Sequence, residues 1–157
     1  MAKAFAMTIK LPKGMELALQ QAKAAAKRGE VPVGACVLAA DGRVLAEAGN
    51  RTLELKDPTA HAEILVLRTA AAKIDSERLI DCELYVTLEP CAMCAGAISL
   101  ARVKRVYFAA GDEKMGAVEN GPLLFNQPTC HHAPEVYSGI GQNAAAQLLK
   151  DFFKSRR

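Results

Sequence analysis

No stretch of the chain approaches the about 18 uninterrupted apolar residues that a membrane-spanning helix needs. The opening Met1-Ala2-Lys3-Ala4-Phe5-Ala6-Met7 is too short to be the apolar centre of a signal peptide. Both absences predict a soluble cytoplasmic protein with no membrane partner. An even cysteine count is also lacking: five cysteines without an export signal argue against a disulfide framework. Strong charge of one sign is missing too, and a net charge of +3 does not by itself mark a nucleic-acid binder, because clustering is what counts. With no internal repeat, low-complexity segment or linker, residues 1–157 read as one domain. A chain of that size buries roughly 68–70% of its unfolded surface, so its core needs no staples.

What the chain does contain is a set of metal-ligating residue types at telling spacings. Glu89-Pro90-Cys91-Ala92-Met93-Cys94 sets two cysteines three residues apart, which on a helix makes them surface neighbours. Pro90 fits a first helical position, so Cys91 and Cys94 are predicted in or near a first turn, where orphan N–H groups and the helix dipole favour thiolates. His61 offers a third ligand, with Asp57 as the expected cap and Pro58 as the first residue of its helix. Two helix N-termini would then face each other across one ion. Cysteine, cysteine and histidine suit zinc, and three protein ligands leave a tetrahedral position for water, as catalytic sites do.

Glu63 does not share a helix face with His61, yet it is close enough in sequence to address that water as a proton shuttle. Two competing readings stand beside this one. A redox Cys-x-x-Cys explains the cysteines but leaves His61-Ala62-Glu63 without a reason. A closed structural zinc site would need a fourth ligand, which His131 or His132 could supply.

Taken in order, residues 1–13 read as an irregular arm, and the spacing from Met15 to Ala26 predicts a helix stopped at Gly29. Val33 to Ala39 is apolar on both faces, as a central strand should be, and Asp41-Gly42 turns it into a second strand from Val44 to Ala48. The helix after His61 is largely apolar and therefore buried. Glu83 to Leu88, Cys91 to about Ala101 and Arg105 to Ala109 read as strand, helix and strand, a parallel crossover. Residues 111–134 form a long irregular segment, Val136-Tyr137 an edge strand, and Asn143 to Phe153 a closing helix. The predicted fold is α/β, a three-layer α/β/α sandwich with a mixed sheet of about five strands. Cys36 reads as a small core residue, while Cys82 and Cys130 carry no readable role.

The runs Pro58-Thr59-Ala60-His61-Ala62-Glu63-Ile64 and Leu84 to Ala97 resemble those of the cytidine-deaminase-like superfamily, whose His-x-Glu and Pro-Cys-x-x-Cys pattern is the known signature of zinc nucleobase deaminases. The ending Asp151-Phe152-Phe153-Lys154-Ser155-Arg156-Arg157 and the loop Asp112 to Ala117 resemble the branch of bacterial tRNA-specific adenosine deaminases. The resemblance implies one zinc ion per subunit on His61, Cys91 and Cys94, Glu63 as the catalytic acid and base, and deamination of the wobble adenosine in a tRNA anticodon stem-loop. It also implies a homodimer. Asn50 falls where the family holds the substrate nucleoside, with a left-handed turn residue after Gly49 as the alternative. The N–H groups of Ala62 and Cys91 are implied to contact the base and the attacking oxygen.

By the same resemblance Asp112 and Lys114 lie near the anticodon backbone; solvated loop charges are the alternative. Phe152 and Phe153 divide between stacking on an unpaired base and anchoring the helix, or both pack in the core. Arg156 and Arg157, with Lys150 and Lys154, would meet phosphates or merely favour a helix dipole. Two rival functions remain: a deaminase of a free base or nucleoside such as guanine or cytosine, with a pocket closed by the C-terminal segment, and a non-catalytic zinc-stabilised RNA-binding module.

Overall fold

The computed structural model of the protein describes residues 10–156. Most of the expected N-terminal arm and Arg157 lie outside the described residues. The first helix, α1, spans Lys13–Lys27. Its end is closed as the sequence predicts: Gly29 has a φ of 82°, its N–H donates to the Ala26 carbonyl, and the Glu30 N–H reaches back to Ala25. Only a residue without a Cβ takes that left-handed ending without strain.

Strand β1 (Gly34–Leu38) turns through Asp41 and Gly42 into β2 (Val44–Gly49), and the two pair antiparallel. Helix α2 (Ala62–Ile74) leads to β3 (Glu83–Leu88), α3 (Ala92–Leu100) and β4 (Arg105–Ala110). A long irregular stretch with a short 3-10 turn at Leu124–Asn126 then precedes β5 (Glu135–Ser138) and α4 (Gln142–Lys154). The sheet order is β2-β1-β3-β4-β5, antiparallel across β1 and parallel from β3 to β5. This is the mixed five-stranded sheet expected, with β1 buried along its whole length.

The two-residue period of the strands builds two cores. Ala35, Val37, Leu84, Val86, Val106 and Phe108 pack against Ala62 and Val66 of α2 and Ala95 and Ile98 of α3. The alternating residues Cys36, Leu38, Tyr85 and Ala109 meet Met15, Ala18 and Leu19 of α1 and Ala145 of α4 on the opposite face. Each fully buried aliphatic side chain in these layers contributes about 1.5–3 kcal/mol relative to exposure. Cys36 belongs to the second core, where burial pushes its thiol up to about 12, so it is an inert packing residue as expected. Cys82 is buried, and Cys130 sits beside the Ser99 hydroxyl and the His132 carbonyl.

The parallel half of the sheet carries a ladder. Tyr85, Tyr107 and Tyr137 stand opposite one another with ring centroids 4.5 and 5.0 Å apart, and Arg105 reaches Glu83 at 3.1 Å and Glu135 at 2.8 Å. Register is thereby fixed on both an apolar and an ionic row.

Two expected helix starts are corrected. Asp57 does not cap α2; its carboxylate closes a local turn, accepting the Thr59 N–H at 2.8 Å and the Thr59 hydroxyl at 2.6 Å. That side-chain turn outcompetes a helix at Pro58, and α2 begins at Ala62. Pro90 likewise precedes α3 instead of opening it, because Cys91 has an extended ψ of 174° and is itself the cap residue.

Candidate active site

Each helix that faces the site is capped by a residue able to hold a metal: His61 at α2 and Cys91 at α3. Neither makes a side-chain capping bond, so imidazole and thiol are free to point at each other, and Cys94 follows in the first turn of α3. His61 Nδ1 lies 3.6 Å from Cys91 Sγ and 3.6 Å from Cys94 Sγ. For a tetrahedral zinc ion with bonds of about 2.3 Å to sulfur and about 2.0 Å to nitrogen, the sulfur-to-nitrogen edge is about 3.6 Å. Both sulfur-to-nitrogen separations therefore already match those that one zinc ion demands, and the three ligand atoms lie within 4.8 Å of one another. Cys94 is buried and the other two are half-buried, so the ion would be reached from one side.

The electrostatics agree. Hydrogen bonding with Cys94 and then with His61 draws the Cys91 thiol down to about 4, while hydrogen bonding to Cys91 raises His61 above its ordinary value. A thiolate against an imidazolium is a pair whose shared proton a divalent cation replaces.

Among the described residues this is the one His, Cys and carboxylate cluster of metal-binding geometry. His131 and His132 take no part: His132 Nε2 is 2.7 Å from the Val103 carbonyl, beyond the far end of α3. The closed four-ligand site is thus ruled out for those residues.

Glu63 lies in the first turn of α2, 4% exposed, with its carboxyl raised above the ordinary range by burial. It shares a cavity of about 250 Å³ with His61, Cys91, Asn50 and Asp112, walled by Val31, Val33, Leu88 and Met115. Asn50, at the end of β2, is buried; its Oδ1 accepts the Ala62 N–H at 2.8 Å, and its own carbonyl accepts Arg28 Nη2 at 3.1 Å. It thereby caps α2 from outside the helix, and the Ala62 N–H implied to touch a base is engaged by this bond.

The cavity adjoins a groove of about 640 Å³ that shares Val31, Leu88, Asp112 and Met115 with it and adds Lys114, Leu149, Phe153 and Arg156. The two adjacent aromatic rings differ in exposure. Phe152 is 8% exposed with the Arg156 guanidinium 3.6 Å over its ring, and Phe153 stands edge-on to it and 48% exposed, towards the groove.

Three features went unread in the sequence. Thr52 lines the cavity without any motif to mark it, and Met115 lines it from within the loop Asp112 to Ala117, where no role was read for its side chain. Glu89, adjacent to Pro90, proves to be a buried carboxylate that gathers five donors from residues 112–120. Its only signal was its place before the cysteine pair.

Comparison with known proteins places this arrangement. Residues 9–110 match the family described as the cytidine and deoxycytidylate deaminase zinc-binding region. A tRNA-specific adenosine deaminase of Agrobacterium fabrum is 58% identical over 143 residues, covering 91% of this chain and 93% of its own. That of Haemophilus influenzae is 46% identical, covering 92% and 84%. Among solved structures, a chain from work on A-to-I editing by tRNA:A34 deaminases superposes with a TM-score of 0.85 at 57% identity, covering 87% of this chain and 98% of that one. A guanine deaminase from Nitrosomonas europaea shares the fold at a TM-score of 0.72 and 27% identity, covering 88% of this chain and 82% of that one. The chain belongs to the zinc-binding cytidine and deoxycytidylate deaminase family, among its tRNA-specific adenosine deaminases.

Proposed function

We propose that this protein hydrolyses the wobble adenosine of a tRNA anticodon loop to inosine, releasing ammonia. The observation that carries this reading is the meeting of the His61, Cys91 and Cys94 cluster with Glu63 in one cavity that adjoins a groove edged by Lys114, Phe153 and Arg156.

His61, Cys91 and Cys94 hold one zinc ion per subunit, which when bound lowers the pKa of water towards about 7 and so supplies a nucleophile at neutral pH. Glu63 would take one proton from the attacking water and deliver it to N1 of the base, then take the second from the oxygen added at C6 and give it to the departing amine, so that the C6 carbonyl forms, ammonia leaves and the carboxylate is restored. Its burial suits the role, because burial raises the carboxyl and so eases its passage through the protonated form. Asn50 presents its amide NH2 to the nucleoside while its carbonyl keeps α2, and with it His61, in place.

An unpaired anticodon base costs least to splay into such a pocket. In the groove, Asp112 accepts from a ribose hydroxyl, Phe153 stacks on a flanking base, and Lys114 and Arg156 meet phosphates, with Phe152 as the anchor beneath; Arg157, next in the sequence, adds its charge to theirs. The open groove beside the cavity favours RNA over a free base, whose pocket the C-terminal segment would close. The single helix face of Met93 and Leu100, the latter 78% exposed, supports a homodimer formed through α3. No helix among the described residues is long and apolar enough to cross a membrane, and a tRNA substrate supports a cytoplasmic enzyme.

The test is ammonia release from an anticodon stem-loop with adenosine at the wobble position, against free adenosine, cytidine and guanine, with Glu63→Ala as control. Turnover of the stem-loop alone, lost in the variant, establishes the reading; turnover of a free base with an inert stem-loop discards the RNA substrate.

A further inference from the structure

Glu89 is a carboxylate only 3% exposed, and every partner it has is an uncharged donor. Its Oε1 accepts the Asp112 N–H at 3.0 Å and the Asn120 amide at 2.7 Å. Its Oε2 accepts the N–H groups of Val118 at 3.1 Å, Glu119 at 2.9 Å and Asn120 at 3.1 Å. An ionised carboxylate offers about four lone-pair sites, so this one is saturated. The residues it gathers are the two ends of the segment that carries Asp112, Lys114 and Met115 past the cavity. The middle of the segment lies against the metal-binding helix: Gly116 bridges to Cys91, and the Ala117 N–H donates to the Pro90 carbonyl at 2.9 Å. A Cβ at position 116 would collide with the Glu89 carboxyl and the Asp112 carbonyl, so the contact needs glycine.

From this geometry we infer that Glu89 is a positioning residue for substrate: its carboxylate pins the 112–120 segment as the wall shared by cavity and groove, at a fixed distance from the cysteine pair. This rests on the groove being the substrate's binding face. Glutamine is a sharp probe, because it keeps the shape but turns one oxygen into a donor. Whichever way its amide sits, an NH2 then faces two or three N–H groups.

The experiment compares zinc-loaded wild type, Glu89→Gln, Asn120→Ala and the distant core variant Val103→Ala. Readouts are kcat and KM on the anticodon stem-loop, zinc content, and amide hydrogen exchange at residues 118–120. Glu89→Gln is expected to keep its zinc, raise KM about tenfold, the equivalent of one hydrogen bond to a charged acceptor, and leave kcat within about threefold. Exchange at 118–120 should rise with it. Asn120→Ala should shift both in the same direction to a smaller extent, and it carries the test if Glu89→Gln fails to fold. Val103→Ala should lower the melting temperature with KM and that exchange unchanged, which separates positioning from general destabilisation. A folded Glu89→Gln with wild-type KM and wild-type exchange overturns the inference, as does a KM rise of equal size in Val103→Ala. If wild type itself leaves the stem-loop untouched, the substrate reading fails instead, and the exchange data alone decide whether Glu89 pins the segment.

Discussion

Asn50 accepts the Ala62 N–H at 2.8 Å, so the residue just after β2 holds the start of α2 beside His61. Cap and proposed substrate contact are separable in this side chain, because the carbonyl serves the helix while the proposed contact to the nucleoside would use the NH2. Asn50→Asp keeps the acceptor and Asn50→Ala removes it. The alanine variant is expected to lose about 1 kcal/mol of stability by urea denaturation, the aspartate variant much less, and both should lose turnover of the stem-loop. Full activity in Asn50→Asp would show that the amide donor is not used.

Metal removal should cost stability as well as activity. At free zinc about 1,000-fold above its dissociation constant, a site formed only in the folded chain adds about 4 kcal/mol, or of order 10 °C in melting temperature for a domain of this size. The check is a melt series in metal-buffered solution. Cys94→Ala, which deletes the buried ligand, should abolish the dependence on zinc.

The two adjacent phenylalanines should respond in opposite ways. Phe152→Ala opens a buried site beneath Arg156 and is expected to cost about 3 kcal/mol in folding. Phe153→Ala should leave the melting temperature nearly unchanged but weaken stem-loop binding by about 1–3 kcal/mol, the range for a base stacked on an aromatic ring. Equal binding losses in the two variants would contradict the division of roles.

The ionic row on the sheet predicts a salt-dependent acid limb. Arg105 holds the Glu135 carboxyl below its usual 4.5. A carboxyl whose folded pKa is depressed contributes its stability in full above the unfolded pKa and loses it as the pH falls through the folded one. Acid unfolding below about pH 4.5 should therefore be shallower in Arg105→Leu than in wild type. The difference should shrink in high salt, because Glu135 is exposed. A difference that persists undiminished at high salt would mean that packing, not charge, is at work.

The metal triad was legible because its chemistry is local: ligand type, a three-residue spacing and the pull of a helix N-terminus all act within a few residues. The strands were legible for the same reason, since β1 and β3 are short runs apolar on both faces, as strands buried within a sheet are. The helix starts at Pro58 and Pro90 were misread by a few residues because proline marks a compatible position without requiring it, and the Asp57 turn competed successfully. Glu89 was opaque. Its partners lie 23 to 31 residues away in a stretch with no period, so only the folded chain brings them together.

The ladder of tyrosines ends at β5, a four-residue strand whose outer side carries charge and little burial. So short an edge offers an incoming strand almost no backbone to pair with. Sheet-to-sheet growth is discouraged at that side, and a second copy of the chain that docks there must do so by side chains, not by extending the sheet.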